Sequence, residues 1–114
     1  MITKDKINKR KIQKIVDKII KTSDVEKIIL FGSYAKNSYN ENSDLDLLII
    51  KETNLSQPKR GLDIRKSLWG IGVPIDIVVY TPKEIKEWKD INNSFISNIM
   101  KEGKVLYEKE KAAH

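Results

Sequence analysis

The residues with chemical potential stand in one stretch: Gly32-Ser33, ten intervening residues, then Asp44-Leu45-Asp46. The Gly-Ser pair follows the apolar run Ile28-Ile29-Leu30-Phe31, and the aspartates open a second run, Leu47-Leu48-Ile49-Ile50. In a strand, residues i and i+2 share a face about 7 Å apart, so both carboxylates can address one site. Two unpaired carboxylates there repel, and a magnesium ion removes that cost. Magnesium also takes substrate phosphate oxygens as ligands, so a phosphate holder is needed nearby. Gly32 allows close backbone approach, free amides at a helix start attract an anion, and Ser33 adds a hydroxyl donor. A third acid, Asp76, lies within Pro74-Ile75-Asp76-Ile77-Val78-Val79. A charge inside so apolar a strand is costly without a metal or a partner. If its strand neighbours that of Asp46, three carboxylates can surround two metals, the arrangement for in-line displacement at phosphorus. Asp76 is then best placed to act as base or to orient the nucleophile.

The elements that must position these groups follow from periodicity. Ile12, Ile15, Val16, Ile19 and Ile20 form one apolar stripe, predicting a helix from Thr3 to Lys21. Lys27 to Phe31 reads as a strand, residues 32 to 36 as the start of a short helix, and 37 to 43 as an Asn-rich loop. Asp46 to Ile50 reads as a strand buried on both faces. Lys51 to Pro58 is a polar connection, and Arg60 to Ile71 a helix with Leu62, Ile64, Arg65 and Leu68 in register, ended by Gly70 and Gly72. Ile75 to Tyr80 is a third strand. Thr81, Pro82 and Glu84 form a capping box for a short helix. A last helix spans Ile91 to Lys101 with Phe95, Ile96, Ile99 and Met100 apolar; Gly103 stops it, and Val105 to Tyr107 adds a short strand. Residues 108 to 114 read as a frayed charged tail. The pattern is α/β (α+β): a small mixed β-sheet flanked by helices, in one domain over residues 1–114.

Composition narrows the chemistry. The chain has no cysteine and a lone His114, so neither a disulfide framework nor a thiolate or imidazole metal site is expected. Oxygen ligands favour magnesium, calcium or manganese over zinc. No run approaches the roughly 18 apolar residues of a membrane span, and no signal peptide is visible, so the expected setting is cytoplasmic. The net charge of +6 is concentrated in residues 1–22, where eight Lys/Arg face Asp5 and Asp17. Such a basic helix can contact nucleic acid, although no aromatic residues are interleaved for base stacking; a solvated lysine face is the preferred reading.

The Gly32-Ser33…Asp44-x-Asp46 pattern with Asp76 resembles the signature of the polymerase-beta-like nucleotidyltransferase superfamily. The ending Ile99-Met100-Lys101-Glu102-Gly103-Lys104-Val105-Leu106-Tyr107 is similar to that of its minimal nucleotidyltransferases. The resemblance covers Val25 to Glu108. It implies Mg2+, two ions, held by Asp44, Asp46 and Asp76, with the phosphates of ATP on Gly32, Ser33 and Lys36. It also implies a HEPN-domain toxin as partner, with this chain the antitoxin that transfers AMP to a tyrosine. Alternatives are an antitoxin acting by contact alone and a basic nucleic-acid binder. Where the family reads Ser-x-Ala-Arg-Gly, this chain has Ser33-Tyr34-Ala35-Lys36-Asn37. Lysine keeps the charge without the bidentate fork, and Asn37 tolerates left-handed backbone nearly as glycine does. Tyr34 and Tyr39 could stack on a base but read better as rim packing. Trp69 and Trp88 suit a core or a partner interface, and Arg65 a salt bridge.

Overall fold

The computed structural model describes residues 7–40 and 42–110. Strands β1 (Lys27–Phe31), β2 (Leu45–Ile50), β3 (Ile75–Tyr80) and β4 (Lys104–Glu108) form one sheet in the order β3-β2-β1-β4. β1 runs antiparallel to both β2 and β4, whereas β2 and β3 are parallel. The sheet is therefore mixed, as the sequence predicts. A parallel pair needs a crossover, and the segment after β2 supplies one through α2 (Leu62–Ser67).

Alternation along the strands divides the core in two. Ile28, Leu30, Leu45, Leu47, Ile49, Ile77 and Val79 pack under α1 (Lys9–Thr22) and α2, meeting Ile15, Ile19 and Ile64. Ile29, Leu48 and Ile50 face the other way, against Ile85 of α3 (Pro82–Trp88) and Ile96 and Ile99 of α4 (Phe95–Glu102). Leu45, Leu47, Leu48 and Ile49 are fully buried, which confirms β2 as a strand covered on both faces. Each such side chain contributes roughly 1.5–3 kcal/mol through burial. Asp46 is the one break in that run.

Helix ends differ from the periodicity where local capping decides them. α1 starts at Lys9 because Asn8 accepts a hydrogen bond from the Lys11 amide at 2.8 Å; the expected residues 3–6 lie outside the described ones. α2 is shorter than the expected 60–71: its last turn is followed by bonds from the Leu68 and Trp69 amides to Arg65 and Lys66, and Leu62 is exposed. Residues 57–59 form a 3₁₀ turn within the expected polar connection. α4 begins at Phe95, not Ile91, since Asn93 is left-handed (φ 62°) and Ser94 caps the Ser97 amide at 3.0 Å. The capping box at Thr81 and Glu84 is present.

Gly103 does stop α4, by contact. A Cβ there would stand 2.6 Å from the Ile99 carbonyl and 2.5 Å from the Ile29 side chain of β1. β4 runs two residues longer than expected and takes in Glu108. Beyond it, the Lys109 amide donates to the Glu26 carbonyl and its ammonium pairs with Asp24, both at 2.9 Å. The expected frayed tail is thus held at 108 and 109, and residues 111–114 lie outside the described ones.

β3 forms one border of the sheet, and side chains cap its outward carbonyls. Arg65 donates to the Ile77 carbonyl at 2.8 Å, and Gln57 to that of Val79 at 3.1 Å. Arg60 reaches Val79 at 3.4 Å and pairs with Glu84 at 2.6 Å. Arg65 therefore serves a backbone carbonyl instead of the expected salt bridge.

Candidate active site

At the end of β1 the chain must reverse within a few residues. Gly32 makes this possible with φ of +73°, a conformation that costs other residues roughly 1–2 kcal/mol. The expected helix over 32–36 is a single 3₁₀ turn, Gly32–Tyr34, with the Ala35 and Lys36 amides donating to the Gly32 carbonyl at 3.1 and 3.2 Å. Asn37 takes the left-handed conformation (φ 60°) for which its side chain suits it. Asn40 and Ser43 then hold the polar loop through hydrogen bonds of 2.9–3.0 Å.

The turn lies against Asp46. A Cβ on Gly32 would overlap Asp46 Oδ2 and stand 3.2 Å from Cγ, so glycine is required here twice over. Asp46 faces Phe31 across β1 and Asp76 across β3, in register with both. Paired positions on adjacent strands lie about 4.8 Å apart with side chains on one face, so Asp46 and Asp76 stand side by side. They share the face of Leu48 and Val78. Asp44, immediately before β2, is exposed.

Asp76 corrects one premise. It is exposed, not a charge sunk in an apolar strand, so burial does not demand a partner for it. Asp46 is the half-buried member. Burial first, then the charges of Asp76 and Asp44, raises its carboxyl above the usual carboxylate range. The charges of Asp76 and Asp44 therefore reach Asp46. Even so, no three acidic or histidine side chains among the described residues stand close enough to form a ready cation cage. The donor set fits a hard divalent cation, because such an ion would relieve the repulsion that Asp46 carries.

Lys36 is exposed and pairs with Glu102 at 3.0 Å. An exposed pair is worth only about 0–1 kcal/mol, so Lys36 is readily released to an anion. Ser33 sits partly buried in the turn. Tyr34 and Tyr39 stack on each other, centroids 4.4 Å apart and rings 10° from parallel, in keeping with rim packing. Trp69 and Trp88 are exposed, which removes their core reading. The lysine face of α1 is solvated at Lys9, Arg10, Lys14 and Lys21, while the apolar stripe is buried.

Sequence reasoning passed over one feature. A cleft of about 200 Å³ opens beside Gly32, lined by Phe31, Gly32 and Lys36 on one side and by Phe95, Asn98 and Glu102 of α4 on the other. The spacing 95, 98, 102 is one helical face, a signal available in the sequence.

Comparison with known proteins agrees with this geometry. The family model described as Polymerase beta, Nucleotidyltransferase matches residues 13–112. A protein of Methanocaldococcus jannaschii provisionally named protein adenylyltransferase MJ0604 is 40% identical over 84 residues, 73% of this chain and 79% of its own. A crystal structure of a nucleotidyltransferase, so assigned provisionally, from Sulfolobus solfataricus superposes with a TM-score of 0.64 at 20% identity, covering 90% of this chain and 81% of that one. A structure described as a toxin-antitoxin with AMP-PNP gives 0.58 at 23% identity, over 91% and 76%. These likenesses to solved structures establish the fold. The family match, spanning nearly all of the chain, and the 40% identical relative identify it as a nucleotidyltransferase of the polymerase-beta family.

Proposed function

We propose that this protein transfers AMP from ATP to a hydroxyl of a partner protein, as the antitoxin of a HEPN/MNT toxin–antitoxin pair in the cytoplasm. The observation that carries the reading is the register of Asp46 with Asp76, with Gly32 packed directly on Asp46. That arrangement puts a turn suited to phosphate against acids suited to a divalent cation. The relative MJ0604, named for protein adenylylation, supports the protein acceptor, and the toxin-antitoxin neighbour with AMP-PNP supports the partner class and the nucleotide.

In this reading Gly32, Ser33 and Lys36 hold the triphosphate. Asp44, Asp46 and Asp76 would hold Mg2+, as one or two ions, which when bound supplies positive charge to the phosphate oxygens. The acceptor oxygen forms a bond to the α-phosphorus. The bond from that phosphorus to the oxygen bridging to the β-phosphate breaks, and pyrophosphate leaves. The hydroxyl proton passes to the Asp76 carboxylate, the exposed acid of the strand-borne pair and so the one an incoming hydroxyl can reach.

The test uses α-labelled ATP, magnesium and the protein encoded beside this one. Label should appear on that protein and fall by about 10²-fold or more with Asp46→Asn or Asp76→Asn. Absence of label with the unaltered chain, or equal labelling by the variants, refutes the transfer. Neutralisation of the partner that survives both variants and the removal of ATP would instead establish action by contact alone.

A further inference from the structure

The cleft between the Gly32 turn and α4 shares Gly32 and Lys36 with the proposed phosphate site, while its α4 wall has no role in phosphate binding. Its volume of about 200 Å³ falls below the roughly 300–1,000 Å³ of pockets that enclose a whole drug-sized ligand, so it suits one portion of a nucleotide. Its two walls differ in character. Phe95 is half exposed, and its ring is fixed edge-on by Phe31 with centroids 5.5 Å apart and planes at 89°. Tyr80 backs it at 6.5 Å. A braced, half-exposed aromatic lining a cleft is a stacking platform for a base, since every base has a π-face.

One helical turn on, Asn98 is exposed, and its side-chain amide has no hydrogen-bond partner among the described residues. An amide offers one acceptor and two donors, the set that matches adenine's adjacent acceptor and amino group. At the far rim, the Glu102 carboxylate, which pairs with Lys36, would repel a triphosphate lying against α4. The triphosphate therefore belongs along the Gly32–Lys36 wall, towards the aspartates, with the α4 side of the cleft left for the base.

We infer that the cleft between Phe31–Lys36 and α4 is the nucleobase site, with Phe95 stacking on the base and Asn98 reading its edge in favour of adenine. This rests on the proposed nucleotidyl transfer from ATP and assigns the base, the part of the substrate given no site in that reading.

The experiment is calorimetric titration of the intact protein, in magnesium, with ATP, GTP and inorganic tripolyphosphate. Phe95→Ala should weaken ATP about tenfold or more, through lost stacking, with tripolyphosphate affinity unchanged. Phe95→Leu keeps apolar cover on Phe31 but no flat ring, and should lose ATP affinity while melting like the unaltered chain. Asn98→Ala, on an exposed helix face, should weaken ATP roughly two- to tenfold and narrow the preference over GTP. Unchanged ATP affinity in all three variants overturns the base assignment and leaves the transfer reading standing. Equal losses for ATP and tripolyphosphate also overturn it, because the cleft would then take phosphates. Failure of the unaltered chain to bind either ligand overturns both.

Discussion

Replacing Gly32 by alanine should separate the demands that converge at this turn. The left-handed backbone at φ +73° costs alanine roughly 1–2 kcal/mol wherever it occurs. The new methyl also meets the Asp46 carboxylate, with Cγ 3.2 Å and Cβ 3.5 Å away and Oδ2 overlapped. Overlap of this kind costs typically 1–3 kcal/mol, or else Asp46 turns away and the site loses its shape. The Gly32→Ala protein should thus be about 2–5 kcal/mol less stable in urea unfolding at pH 7. In an Asp46→Ala background the overlap disappears and only the backbone part, about 1–2 kcal/mol, should remain. The difference between the two backgrounds is the coupling energy of the turn to the carboxylate. Identical costs in both backgrounds would mean that Asp46 turns away freely, and nucleotidyl transfer should then fall. Identical costs with undiminished transfer would refute the close approach, since any relief of the overlap must move Asp46.

Three further outcomes follow from named contacts. The hydrogen bond from Arg60 holds the Glu84 carboxyl below its usual range, with the cap at Thr81 adding to it. That stability is complete above the ordinary glutamate pKa and is lost as pH falls through the depressed folded value; Glu84→Gln should cost about 1–3 kcal/mol at pH 7 and flatten the acid limb of a melting-temperature profile. Asp46 runs the opposite way: burial and its acidic neighbours raise its pKa, so the folded state favours the protonated form and stability falls as pH rises from the ordinary aspartate range through the raised value. In magnesium-free buffer at pH 7, Asp46→Asn should therefore melt higher than the unaltered chain, and added magnesium should narrow the gap. Gly103→Ala drives a methyl into the Ile99 and Leu30 carbonyls, at 2.6 and 3.1 Å, and should cost about 1–3 kcal/mol in thermal unfolding without changing ATP affinity.

The strands were legible because their burial is written in their residue types. The run from Leu45 to Ile50 is apolar at every position but one, and that exception is Asp46, the residue with chemical interest. Helix lengths were less legible. Apolar spacing continues through Leu68 and Ile71 although the helix ends at Ser67, because both side chains reach the core from turns. Asn93 broke the α4 periodicity through a backbone conformation that periodicity does not register. The partnership of Asp46 with Asp76 depends on a parallel register across a crossover, a non-local fact that two separate apolar runs suggest but do not fix. The apolar neighbours of Asp76 in sequence suggest burial, but it is exposed near the start of β3. Arg65 was assigned an acidic partner by charge alone, while geometry gave it the carbonyl of Ile77.

That carbonyl belongs to a row with consequences for association. Arg65, Gln57 and Arg60 together occupy the Ile77 and Val79 carbonyls, acceptors on the outer side of β3 that an added strand would need. Extension of the sheet at that border would require breaking these contacts and stripping Glu84 of its arginine. The β4 border carries no such guard among the described residues, and its Val105 is more than half exposed. Growth of this sheet by another chain, whether in a functional complex or in aggregation, is thereby biased to one side. The guarded side is the one next to Asp76, so the acids stay open to solvent and substrate even when the opposite edge is engaged.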